Sequence, residues 1–333
     1  MKKYYPILKS KDGEVKALST LTASDKLQVE PVIEVLPDNM EAVLSNLPPI
    51  WSFEGNSVLV DASYYFLSNS NIDVFIDFLE KLLSANVNVV PVVEFESPDD
   101  YINEIASFIQ HYKTKVCIRV QKQFLKPNII NSLLPDLLNT LNTSPDNTYL
   151  LLDLHYINKS TYSNSAAQLS LTLQSIPNTY DWHRVIIAAG SFPADLSDFA
   201  PDTVSPIERY EWTIWQSLKS LPFVNSLFYG DYGIKNPIHN DQGFQGTSSV
   251  KYTTEESFVI YRGIKPGNHR LGNGQYHEKC RQLIIDSHYD GNIFSWADGE
   301  MYDCAHRTSK PGNAGTWVKI GHSRHISKLI SLL

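Results

Sequence analysis

The stretch SLFYGDYG, residues 226–233, decides the fold, because it is the last of a counted series. It opens on the apolar Leu227, Phe228 and Tyr229, then ends on Asp231 between Gly230 and Tyr232-Gly233. Seven earlier runs share its character: YYPILK (4–9), PVIEVL (31–36), SVLVDAS (57–63), NVVPVVEF (88–95), KVCIRV (115–120), TYLLLDLHYI (148–157) and RVIIAAG (184–190). Most are nearly continuous in hydrophobicity rather than alternating, as strands covered on both faces are.

Helical patterns separate the runs. NIDVFIDFLEKLLSAN (71–86) sets Ile72, Phe75, Phe78, Leu79 and Leu82 on one face. SPDDYINEIASFIQHY (97–112) begins with Ser97 as an expected N-cap, Pro98 in the first turn and two acids after it. The segments 125–142 and 164–176 follow the same logic, and SPIERYEWTIWQSLKSL (205–221) repeats the Ser-Pro cap with Glu208 in capping-box position. Alternating strand and helix predicts an α/β chain with a parallel sheet. Eight strands predict a closed (β/α)8, TIM-barrel-like fold, with an open parallel sheet as the alternative. Neither GxGxxG nor GxxxxGK[ST] occurs, which argues against nucleotide binding of those two kinds.

Beyond Gly233 the chain turns rich in Gly, Asn, His and aromatics. SFVIYRGI (257–264), NIFSWADGEMY (292–302) and TWVKIG (316–321) read as strands, and HSRHISKLISLL (322–333) as a final helix. Residues 1–333 then form a single barrel-like domain. Residues 234–320 form a β-rich cap inserted after strand 8, expected over the C-terminal mouth where barrel enzymes keep their chemistry. The chain carries a net charge of −8, so broad attraction to nucleic acid is not expected. Its three cysteines are scattered and form no CxxC pair, which suits a reducing, cytoplasmic setting. No apolar run is long enough for a membrane span, and the first residues lack the apolar core of a signal peptide.

Charges recur at the strand ends: Lys9, Glu34, Asp61, Glu94, Arg119, Asp153 with His155, and Asp231. In a parallel barrel these ends share one mouth, so the charges converge. Asp231, Asp153, His155 and Glu94 are the candidate acid–base groups. Lys9, Arg119 and Arg262 suit a phosphate or carboxylate, and Glu34 and Asp61 complete the ligand-facing set. Charges inside barrels also pair with one another for purely structural reasons. HExxH, HxH and CxxC are absent, and the spacings His277-x2-Cys280 and Cys304-x-His306 are not standard, so no metal or other cofactor is expected. Tyr232, Tyr252, Tyr276, Trp296, Trp317 and His325 add aromatic and basic groups that can stack on a nucleotide or single-stranded nucleic acid, or form a protein-binding surface. The histidines cluster late, at 239, 269, 277, 288, 306, 322 and 325. Asp298 joins the candidate ligand-binding set, although Asp298-Gly299 reads more readily as a hairpin turn.

Several pieces taken in order resemble the phage-associated beta protein family. They are YYPILKSKDGEVKALSTL with IEVLP, then YGDYG, KYTTEESFVIYRG, FSWAD and WVKIGHSRHI. The resemblance spans nearly the whole chain and departs in one place. A His-His pair is expected near the end, where this chain has His322-Ser-Arg-His325. The resemblance implies a setting more than a reaction: phages, prophages and bacterial islands, with a protein partner from a neighbouring phage or defence gene. Two functions follow. One is a binding or regulatory barrel in a phage or host-exclusion system. The other is a hydrolase or lyase acting at the mouth on a phosphorylated or nucleotide-like ligand.

Overall fold

Eight parallel strands close into a barrel in the order β1 (Tyr4–Lys9), β2 (Val32–Glu34), β3 (Ser57–Asp61), β4 (Asn88–Glu94), β5 (Val116–Gln121), β6 (Thr148–Tyr156), β7 (Arg184–Gly190) and β9 (Leu227–Asp231). The structure is a computed structural model that describes residues 4–53, 55–66, 70–177, 179, 181–219, 221, 227–238 and 246–333. Ser226 and His239, both named above, lie outside the described residues. β9 closes the barrel by pairing with β7 on one side and β1 on the other, with Tyr4 opposite Tyr229 and Pro6 opposite Asp231. The open-sheet alternative is therefore set aside.

Strand parity divides the buried residues into two cores. Tyr5, Ile7, Val32, Leu59, Val90, Val92, Cys117, Tyr149, Leu151, Ile186 and Ala188 fill the interior. Their neighbours in sequence, such as Tyr4, Leu8, Ile33, Val60 and Tyr229, point outward under the helices. The helix Ile72–Ser84 buries Phe75, Phe78, Leu79 and Leu82 in that outer core, as its spacing predicts. The helix Asp99–Tyr112 is preceded by Pro98 and has no side-chain cap. The Ser97 hydroxyl instead accepts from the Glu94 backbone N–H at 2.9 Å.

Three local expectations give way. Residues 204–208 form a strand, β8 (Val204–Glu208), not the start of a helix. β8 pairs antiparallel with β11 (Ser257–Tyr261), which pairs with β10 (Val250–Thr253). The helix begins only at Tyr210 and runs to Leu218. Residues 292–302 form neither a strand nor a hairpin: Ser295 caps the helix Trp296–His306 by accepting from the Asp298 N–H at 3.2 Å. The run 316–321 is not a strand either. It lies within the helix Ala314–Leu332, which Asn313 caps in a box with Thr316.

Candidate functional site

The two glycines of the YGDYG turn explain its shape. At Gly230 a Cβ would stand 2.9 Å from the Tyr5 carbonyl oxygen, so β9 can approach β1 only without a side chain there. Gly233 has φ +58° and lies against the His322 ring, where a Cβ would meet Nδ1 at 2.6 Å. Between them, alternation sends Asp231 and Tyr232 to opposite faces. Tyr232 points into the barrel and Asp231 out of it.

The inner cluster is built on Arg119. Its Nη1 donates to Asp61 Oδ2 at 2.6 Å, and its Nε donates to Asp153 Oδ2 at 3.1 Å. Its Nη2 donates to Glu34 Oε1 at 3.0 Å, to Asp153 Oδ2 at 2.7 Å and to the Tyr232 hydroxyl oxygen at 2.6 Å. The Tyr232 hydroxyl in turn donates to Asp153 at 2.5 Å. Lys9 Nζ stands 3.2 Å from Glu34 Oε2 and donates to the Pro237 carbonyl at 3.0 Å. Lys9, Glu34 and Asp61 are neighbours across β1–β3, and Glu94 faces Arg119 across β4–β5, so strand register alone sets this cluster.

The cluster forms the floor of a cavity of about 590 Å³ at the C-terminal mouth. Glu34, Glu94, Arg119, Asp153 and His155 line it, with Tyr64, Phe66, Tyr101 and Tyr156 as aromatic wall. Among the described residues, none of the lining residues comes from 234–320. Among the described residues of that segment, Pro237 reaches in, accepting from Lys9 and from the Tyr64 hydroxyl.

Two groups at this mouth can exchange protons. Burial lifts the Glu94 carboxyl to about 7, with Asp61 adding to the effect and Arg119 opposing it. Gln121 donates to Glu94 Oε2 at 2.7 Å, whereas the buried Oε1 accepts no hydrogen bond and lies 3.8 Å from Arg119 Nε. His155 stands where β6 shifts register, with φ 56°, a left-handed backbone uncommon for a side chain other than Gly or Asn. Its backbone N–H donates to Asp153 Oδ1 at 2.8 Å, and its ring meets Tyr232 edge-on. Burial lowers its proton affinity despite Asp153. The Asp153 carboxyl is disfavoured by burial, but Arg119 and His155 more than compensate and hold it below the usual range.

Asp231 belongs to a different, outer cluster. Its carboxylate accepts from the hydroxyls of Tyr4 at 2.6 Å and Tyr229 at 2.8 Å, and from the Gly233 N–H at 3.0 Å. His325 Nε2 donates to it at 2.9 Å, and Thr253 Oγ1 lies 3.1 Å from Nδ1 on the far side of that ring. Hydroxyl, imidazole and carboxylate in line have the order of a nucleophilic triad. Thr253 and His325 are fully buried and Asp231 is 1% exposed, so the three groups are closed to solvent. Arg209 completes the group, 3.6 Å from Asp231, 3.1 Å from Glu211 Oε1 and bonded to the Thr254 and Glu255 carbonyls. Burial opposes the Asp231 charge, but His325 and Arg209 overcome it and press its proton affinity far below a normal carboxylate. Asp231 and Asp153 are thus not brought together. Asp231 ties β9 to β1, to the β10–β11 sheet and to the C-terminal helix.

The remaining candidates sit elsewhere. Arg262 donates to Thr247 and to the Gly263 carbonyl and does not line the mouth. Tyr252 donates to Asp298 at 2.8 Å, and Asp298 accepts from Arg324 Nη1 at 3.2 Å. Tyr276 stacks on Trp317 at 4.6 Å inside a separate core between β10, β11 and the C-terminal helices, and Trp296 is partly exposed under Lys319. Cys280 and Cys304 are free and buried in the same core. His277 Nδ1 lies 2.7 Å from the Cys304 carbonyl oxygen.

A sequence model of the Beta protein family matches residues 4–331. The chain belongs to the Beta protein family. It is 23% identical to "Protein beta" of Enterobacteria phage P4, over 99% of this chain and 93% of that one. Among solved structures, a type I 3-dehydroquinate dehydratase of Clostridium difficile, carrying covalently modified comenic acid, aligns with a TM-score of 0.44 and 13% identity. It covers 71% of this chain and 87% of the enzyme. An alanine racemase of Clostridium difficile 630, in complex with cycloserine, aligns with a TM-score of 0.32 and 14% identity over 62% and 60% of the two chains. The barrel assignment rests on the strand order given above, and the curated relative is a phage protein.

Proposed function

We propose that this Beta protein family member acts in phage–host conflict by recognising a small molecule in its barrel mouth. The cavity of about 590 Å³ is what carries the reading. Its size is ordinary for a small-ligand site, and convergent polar groups sit on its floor under aromatic walls. The ordinary place for ligand chemistry in an eight-stranded parallel barrel is this same end. A second reading, acid–base catalysis, is favoured by one observation. Glu94 titrates near neutrality and lines the same cavity as His155. Asp231 has no part in either reading. A phosphorylated ligand fits less well than the sequence suggests, because carboxylates already engage all three guanidinium nitrogens of Arg119.

His155→Asn tests the mouth, since Asn tolerates the left-handed backbone that His155 adopts. The variant is expected to melt within a few degrees of the native chain and to lose its effect on phage plating in an expressing host. A folded variant with an undiminished plating phenotype would remove the mouth from the function.

A further inference from the structure

We propose that the mouth selects a cationic, N–H-rich head group, of the amidinium, guanidinium or ammonium kind, carried on a flat apolar body. The inference rests on the reading of the mouth as a small-molecule site and adds the sign and shape of the ligand.

The charge around the cavity floor is unbalanced. Among the described residues, five carboxyl groups, Glu34, Asp61, Glu94, Glu96 and Asp153, surround three cations, Lys9, Arg119 and Lys122, and Lys9 and Arg119 are already engaged. An anion seeking the buried Arg119 would have to displace a carboxylate from it, where breaking such a pair is expensive, and would find, among the described residues, Lys122 alone to meet it beside the lining carboxylates Glu34, Glu96 and Asp153. A cation meets the opposite situation. Glu94 lines the cavity, its buried Oε1 accepts no hydrogen bond, the neighbouring Ser63 hydroxyl is given to Asp61, and Gln121 fixes the other oxygen. A buried acceptor left open in this way is stabilised by any donor that reaches it. Glu94 is 9% exposed, so that donor must come through the cavity. An N–H fork that is itself positive does so best, since charge-assisted bonds are the stronger ones. The positive charge of such a ligand would oppose the burial penalty that lifts Glu94 to about 7 and so favour its carboxylate form. Tyr64, Phe66, Tyr101 and Tyr156 supply ring surfaces for the body of the ligand and for contact with a delocalised cation.

Three probes of one shape separate charge from fit: benzamidine, benzamide and benzoate, titrated calorimetrically into the full chain at pH 8. The expected result is benzamidine binding at least about tenfold more tightly than benzamide, with benzoate weakest. That ratio corresponds to about 1.4 kcal/mol. Glu94→Gln should then weaken benzamidine about tenfold and leave benzamide unchanged. The series on the native chain needs no variant, so it stands even if the substitution disturbs folding. If benzamide or benzoate binds as well as benzamidine, and His155→Asn weakens that binding, the charge inference falls while the mouth reading stands. If none of the three binds at millimolar concentration, both fall.

Discussion

Asp231 and Tyr232 are adjacent in sequence and belong to two clusters with different partners, one outside the barrel wall and one inside it. Around Asp231, hydroxyl, amide and imidazole donors occupy both carboxylate oxygens, and the group is closed to solvent. Around Arg119, to which Tyr232 bonds, four carboxyls crowd one guanidinium, and a Glu94 oxygen is left without a donor beside a cavity. Both clusters are charged and buried, so charge and burial do not tell mortar from site. Completeness does. A satisfied network has nothing left to offer a ligand, whereas an incomplete one beside open space does.

The sharpest way to break this contrast is Arg119→Met. Without the guanidinium, Asp61, Asp153 and Glu34 face one another in the barrel interior. The expected loss, read by urea denaturation, is about 3–5 kcal/mol, enough to unfold many domains. A variant that keeps native stability would mean that the carboxyls take up protons or water freely, and that the inner cluster is less buried than described.

Next in size is Asp231→Asn. It keeps the shape but removes the charge that two tyrosines and His325 serve, and should lower stability by about 1.5–3 kcal/mol. Because the Asp231 proton affinity is depressed on folding, its contribution is present above the ordinary carboxylate range and fades as pH falls toward the folded value. The native-to-variant gap should therefore narrow in acid. Ligand binding at the mouth should not change. Unaltered stability together with lost mouth function would reverse the assignment of the two clusters.

The smallest effect concerns Glu94. Its proton affinity is raised, from 4.5 to about 7, so the folded chain binds more protons than the unfolded one across that window. Stability then falls as pH rises through it. Glu94→Gln cannot ionise. Its melting temperature should match the native chain near pH 4.5 and exceed it by a few degrees at pH 8. An identical pH profile for the two proteins would show that Glu94 is better solvated than the structure implies.

Much of this was written in the sequence, for reasons that also explain the rest. The eight barrel strands are legible because each is buried on both faces and therefore continuous in hydrophobicity. The inner cluster is legible because register places the charges Lys9, Glu34 and Asp61 side by side. Asp231 reads as a mouth residue from its place at a strand end, but the signal for its outward direction is present too. It shares parity with Tyr229, not Tyr232, and an outward tyrosine–acid pair marks the outer layer. The outer partners Tyr4, Arg209, Glu211 and Thr253 had no local signal, since the cluster draws on elements far apart in the chain. β8 was hidden because Ser205, Pro206 and Glu208 imitate a helix cap, and only pairing with β11 makes that segment a strand. Asp298-Gly299 imitated a turn. Ser295, three residues before Asp298, was the competing signal for a helix start.

The Tyr4–Asp231 bond joins residues 227 positions apart, across the seam where β9 meets β1. Contacts of that span are among the last a folding chain can make, because the intervening loop must be closed before they yield anything. The outer cluster should then be unformed at the folding barrier and fully formed beyond it. Its natural measure is a lifetime: weakening it should leave the refolding rate unchanged and hasten unfolding, so that Asp231 works as a latch on the closed barrel.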